Sequence, residues 1–90
     1  MPLPEGFDAT RDSPDPGLCR RCRQGGLKPT KAFKLTTTGI VEQLFLCQVC
    51  LWGTTIRYDP LKPAQYLLVS YVSPGTKWGW ATVPGQKKGK

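Results

Sequence analysis

The chain has 90 residues, with 13 Lys and Arg against 6 Asp and Glu, four cysteines and no histidine. That length holds one small domain with a thin core, and folds of this size often need a staple. The lack of histidine excludes a Ser-His-Asp triad, a Cys-His nucleophile pair and a two-Cys, two-His finger, while 10 glycines and 9 prolines exclude a mostly helical fold.

Residues 1–17 read as a disordered, acidic, proline-rich arm. Pro2, Pro4, Pro14 and Pro16 punctuate it, and residues 1–15 carry Arg11 against Glu5, Asp8, Asp12 and Asp15. The arm lacks the apolar run of a signal peptide. The body that follows is far more basic than the average, with twelve bases against Glu42 and Asp59 alone. Such an excess speaks about partners rather than fold.

The first cysteine pair is Cys19-Arg20-Arg21-Cys22, followed by Gly25-Gly26. Residues Ala32 to Thr38 alternate and are rich in β-branched side chains, which predicts a strand with Phe33 and Leu35 on one face. Gly39 marks a turn, and Ile40 to Leu46 reads as the returning strand. The second pair, Cys47-Gln48-Val49-Cys50, follows, then Gly53 and a third strand over Thr54 to Tyr58. Asp59-Pro60 and Lys62-Pro63 end that strand. Tyr66 to Val72 and residues 76–83 are expected to form a second hairpin around Ser73-Pro74-Gly75. The extension thus covers 59–85, and residues 86–90 form a short basic tail. The apolar stretches are too short to span a bilayer. The expectation is an intracellular protein (cytoplasmic, or nuclear in a eukaryote) whose thiols stay reduced.

The two pairs are separated by 24 residues, enough for a hairpin that goes out and returns. Two residues between ligands let one segment offer two thiolates to one ion without strain, so Cys19, Cys22, Cys47 and Cys50 predict a closed structural zinc site. Gly25 and Gly53, three residues past each pair, suit a tight turn away from the metal. Two disulfides would use the same count, but the symmetric pairs and a reducing compartment speak against them. Mononuclear iron uses the same thiolate geometry. Rubredoxins, which hold it, place a small residue just after each pair, where this chain has Arg23 and Leu51. A redox-active Cys-x-x-Cys needs only one pair.

The stretch from Leu18 to Tyr58 resembles the zinc-ribbon family, in which two zinc knuckles are joined by β-strands. The resemblance implies a small all-β fold: a three-stranded antiparallel sheet on one structural zinc, here extended by a C-terminal β-hairpin. It implies company among transcription factors, polymerase subunits, ribosomal proteins and nucleic-acid enzymes, or protein-interaction modules. Ribbons resembling transcript-cleavage factors carry an acidic pair at the hairpin tip. Here the tip is Thr36-Thr37-Thr38-Gly39 and Glu42 stands alone, so no two-metal cleavage site is expected. With no nucleophile–base pair or phosphate-cradling loop either, the chain is not expected to be an enzyme.

Arg20, Arg21 and Arg23 flank the first knuckle, and Lys28, Lys31 and Lys34 follow it. Four thiolates around a divalent ion leave a charge of about −2, which nearby guanidiniums partly neutralise. The surplus suits phosphate, for which arginine has bidentate geometry. Trp78 and Trp80 share a strand face and form either a base-stacking platform or the second hairpin's core. These residues predict a nucleic-acid-binding or transcription-associated protein, for DNA or RNA. The alternative is an adaptor or inhibitor that docks by a strand edge or its tryptophan face on a transcription or translation machine such as RNA polymerase.

Overall fold

The computed structural model describes residues 3–78 and 81–83. Within them lie β1 (Leu27–Leu35), β2 (Val41–Cys47), β3 (Gly53–Asp59), β4 (Lys62–Val72), β5 (Lys77–Trp78) and β6 (Ala81–Thr82). The first four form one antiparallel sheet in the order β1-β2-β3-β4, and β5 pairs with β6. Trp80 and the expected tail over 86–90 lie outside the described residues.

The small all-β class is as expected, but the strand pairing corrects one expectation. Tyr66 to Val72 does not pair with the segment after Pro74. It belongs to β4, which adds a fourth strand to the sheet by pairing with β3. The Asp59-Pro60-Leu61-Lys62 sequence, read above as a strand end, is a hairpin turn in which Asp59 Oδ1 accepts the Leu61 N–H at 2.9 Å. Short turns favour pairing between sequence neighbours, so β4 folds back on β3. The second hairpin shrinks to two residues per strand, held by Gly75 N–H to Val83 O at 2.7 Å and Val83 N–H to Thr76 O at 2.9 Å.

β1 also starts earlier than its alternation suggests. Its pairing with β2 runs from Leu27 opposite Cys47 to Pro29 opposite Phe45, breaks, and resumes at Phe33 opposite Gln43. Pro29 is tolerated because β1 is an edge strand. The irregularity is stitched down by the Thr30 hydroxyl, which donates to Leu44 O at 2.7 Å. At the other end Thr36 N–H reaches Ile40 O at 2.9 Å, and Gly39 supplies the left-handed residue (φ 88°) that closes the tip. Thr36 to Thr38 therefore belong to the turn and not to the strand.

Alternation along β2 divides the core between two faces. Val41, Phe45 and Cys47 join Cys19, Leu27, Ile56 and Tyr58 on one face. Leu44 joins Ala32, Val72 and Val83 on the other, with Leu46 and Trp78 packed against them. The first face is covered by the N-terminal segment, against the expectation of a disordered arm. Phe7 meets Phe33 edge-on with ring centroids 5.9 Å apart, Leu3 packs on the same cluster, and Ala9 is buried. The segment carries enough apolar surface to cover a sheet that otherwise leaves one face wet.

Gln43 locks the segment in place. It is fully buried on the first face. Its Nε2 donates to Ala9 O and to Thr30 O, each at 2.7 Å, and its Oε1 accepts the Tyr58 hydroxyl at 2.5 Å. One amide thus joins the N-terminal segment, the β1 irregularity and β3, with both donors used. Burial pushes the Tyr58 hydroxyl pKa up, so it stays protonated as the donor. Tyr58→Phe leaves Gln43 Oε1 without that donor and is expected to cost about 1–3 kcal/mol in a urea titration, an unchanged midpoint being the contrary result.

A turn over residues 8–12 is built on two carboxylates. Asp8 Oδ1 accepts the Thr10 hydroxyl at 2.7 Å and the Thr10 N–H at 3.0 Å. Asp12 Oδ2 accepts the Asp8 N–H at 2.9 Å. The Thr10 hydroxyl, then its N–H, hold Asp8 below its ordinary 3.8; the Asp8 N–H, then Arg11, do the same for Asp12. A depressed folded pKa means the contribution is complete above the ordinary carboxylate range. It is lost as pH falls through the lowered values. Carboxyl-carbon NMR titration of both residues should give midpoints below 3.8, and values at or above it would refute these bonds.

Candidate metal centre

The four cysteines come together where the first face of the sheet meets the two loops. Their sulfurs all lie within 4.8 Å of one another. Cys19 Sγ stands 3.7 Å from Cys50 Sγ, and Cys22 Sγ 3.5 Å from Cys47 Sγ. None is in a disulfide. Sulfurs around a tetrahedral ion with bonds of about 2.3 Å are separated by about 3.8 Å. The donor set therefore fits a single metal ion. The first cysteine of each pair is buried and the second half-buried, so the site sits on the core with one side toward solvent.

Each loop aims backbone N–H groups at its sulfurs. Arg21 N–H donates to Cys19 Sγ and Gln24 N–H to Cys22 Sγ, both at 3.4 Å. Val49 N–H and Cys50 N–H donate to Cys47 Sγ at 3.3 and 3.4 Å. These donors favour the thiolate form that a metal requires. The Gln24 N–H is the main reason the Cys22 pKa falls to about 6. Burial pushes Cys47 up, but the N–H groups of Cys50 and Val49 outweigh it and hold that thiol below its ordinary 9.0. Burial takes Cys50 the other way, to about 12. Such a spread is what packing sulfurs together demands, since adjacent thiolates resist a full set of charges until a cation joins them.

The turn away from each pair is not made by the glycines the sequence pointed to. It is made by Arg23 (φ 59°) and Leu51 (φ 67°), the residues directly after Cys22 and Cys50. Both hold the left-handed conformation that costs an L-residue about 1–2 kcal/mol. Gly25 serves a different need. A Cβ there would lie 2.7 Å from Val49 Cγ2 and 3.1 Å from Cys47 Sγ. Its carbonyl accepts the Cys19 N–H at 2.8 Å. The second loop closes in the same way, with Cys47 N–H on Trp52 O at 3.0 Å, and Gln48 N–H on Gly26 O (3.4 Å) ties the two loops together.

Arg20, Arg21 and Arg23 are exposed around the first loop, and Lys28, Lys31 and Lys34 are exposed along β1. The Arg21 guanidinium lies over the Trp52 ring, 3.8 Å from its centroid. Trp52 stands two residues past Cys50, outside the strands, and was not among the expected site residues. Lys34 Nζ sits 4.9 Å over the Trp78 ring. Trp78 is half-buried against the second core cluster, far along the chain from the arginines. Glu42, opposite Lys34 on β2, pairs with Arg57 on β3 at 3.1 Å. No helix of the described residues is long and apolar enough to cross a membrane.

No family model, curated protein or solved structure matches the chain.

The close approach at Gly25 yields a specific expectation. Gly25→Ala pushes the second loop, at Val49 and Cys47, away from the first and should weaken metal retention against a chromophoric chelator, while far-UV spectra of the loaded chain stay alike. Retention equal to the parent chain would show that the two loops have slack.

Proposed function

We propose that this chain is a zinc-stabilised nucleic-acid-binding module that contacts phosphates through its first cysteine loop and β1. The observation that carries the reading is the run of six exposed bases from Arg20 to Lys34. They follow the loop and one sheet edge in chain order, with no acid between Asp15 and Glu42. Such a run concentrates positive potential along a ridge that a phosphate backbone can follow.

The choice of zinc rests on the chemistry of the donors. Four thiolates in tetrahedral array, with no position left for water, suit a structural zinc ion. Its binding would supply on the order of 10 kcal/mol or more toward folding a chain whose core is thin. Cys19, Cys22, Cys47 and Cys50 would hold it. The Arg21 guanidinium, held 3.8 Å over the Trp52 ring centroid, would supply a planar, bidentate contact. Limited sequence preference is expected, because phosphate contacts position a protein without reading bases.

Salt and charge tests separate this reading from a merely soluble basic surface. Affinity for short duplexes and single strands, followed by tryptophan fluorescence, should fall with salt. On duplex DNA the log–log slope is about −0.9 per phosphate contact. Replacing Arg20, Arg21 and Arg23 together by Gln should flatten that slope by up to roughly 2.7. Elemental analysis should still find one zinc per chain. Binding that is absent, or indifferent to salt, would overturn the nucleic-acid reading. Iron in the elemental analysis would overturn zinc alone.

A further inference from the structure

The two edges of the sheet differ in chemistry. β1 is guarded in the way that edge strands usually are, with Lys28, Lys31 and Lys34 spread along its length. β4 is the other edge, and among the described residues no strand pairs with its outer side. From Pro63 to Thr76 the chain carries no charge at all. Leu67 is 71% exposed, and Val69 and Tyr71 about 40%. A long, uncharged, apolar edge presents a row of backbone N–H and C=O groups that another strand can complete.

The register within β4 points to which strand. Thr55 pairs with Ser70 and Ile56 with Leu68, so Val69 is an extra residue without a β3 partner. It resets the alternation of side chains. Before it, even-numbered Tyr66 packs on the first core cluster. After it, even-numbered Val72 packs on the second, across the sheet. Leu67, opposite Arg57, and Ser70, opposite Thr55, therefore face the same side as Val72. Tyr71, opposite Thr54, faces the same side as Tyr66.

An antiparallel partner must match faces residue by residue. For β4 against itself, pairing about a two-fold axis between Leu68 and Val69 does so on both sides of the bulge. Tyr66 stands opposite Tyr71 and Leu67 opposite Ser70, each on a common face. Registers displaced by one residue put unlike faces together. Charge agrees with this partner. A chain of net charge +7 repels its own copy over most of its surface, and this uncharged edge is where two copies approach without opposing like charges.

We infer that β4 pairs antiparallel with β4 of a second copy, centred on Leu68 and Val69, to make an eight-stranded sheet with a β1 edge at either end. The interface is isologous, as a two-fold requires, and small, so dimerisation belongs to the micromolar range or weaker.

Sedimentation or light scattering of the metal-loaded full chain from about 10 µM to about 1 mM tests the inference. The mass should climb from 10.0 kDa toward twice that value. Leu67→Lys with Val69→Lys should hold it at the monomer, with metal content and circular dichroism unchanged. Leu18→Lys with Leu61→Lys adds the same charge at exposed sites off this edge (59% and 71%), and should dimerise like the parent. Salt should strengthen the dimer, opposite in sign to its effect on nucleic-acid binding, so the two proposals fail separately. A parent chain monomeric throughout the range would overturn the inference. So would a dimer untouched by the β4 lysines.

Discussion

Four sulfurs can meet within 4.8 Å only if the chain leaving the first cysteine loop and the chain entering the second lie side by side. β1 and β2 satisfy this by pairing Leu27 with Cys47 at the start of their ladder, so that each loop ends where the other begins. The loops then need a sharp left-handed residue after each second cysteine. Arg23 and Leu51 adopt that conformation despite its cost. The two loops carry these strained residues at the two ends of one hairpin, whose pairing over-determines them.

The rest of the molecule is arranged around a core too small to fill two faces. One face is completed from the N-terminal side by Leu3, Phe7 and Ala9, the other from the C-terminal side by Val83 and Trp78. Gln43 sits where the first of these segments meets the sheet, and buries its amide with both donors and its acceptor in use. A buried amide costs little when its partners are all present, and it fixes one arrangement of the segment against many apolar alternatives. Thr54 Oγ1, on the same face, is the buried side-chain oxygen among the described residues that lacks a partner.

Charge is distributed by edge. The first loop and β1 gather six exposed bases, and the lysines among them guard that edge against strand addition. The acids are held apart, mostly in the N-terminal segment, where Asp8 and Asp12 spend their oxygens on turn N–H groups. The opposite edge, past Lys62 at its start, has neither bases nor acids.

Much of this was legible in the residues themselves. The spacing of Cys19, Cys22, Cys47 and Cys50 pointed to the cysteine cluster, because two residues between ligands and a hairpin-length gap are local requirements. The β-class and three of the strands followed from alternation and β-branching. The fourth strand's place did not, since Tyr66 to Val72 is equally apolar whether it pairs backward with β3 or forward with the segment after Pro74. The docking of residues 3–15 was also hidden. Gln43 reads as one polar residue in an apolar run, and only the meeting of Ala9, Thr30 and Tyr58 around it shows why it is there. Ligand spacings are settled within a few residues, so order alone decides them. Which edge stays open depends on whether β4 pairs with β3, and which segment covers which face depends on contacts such as Gln43 to Ala9, distant in the chain, which exist only once the sheet has formed.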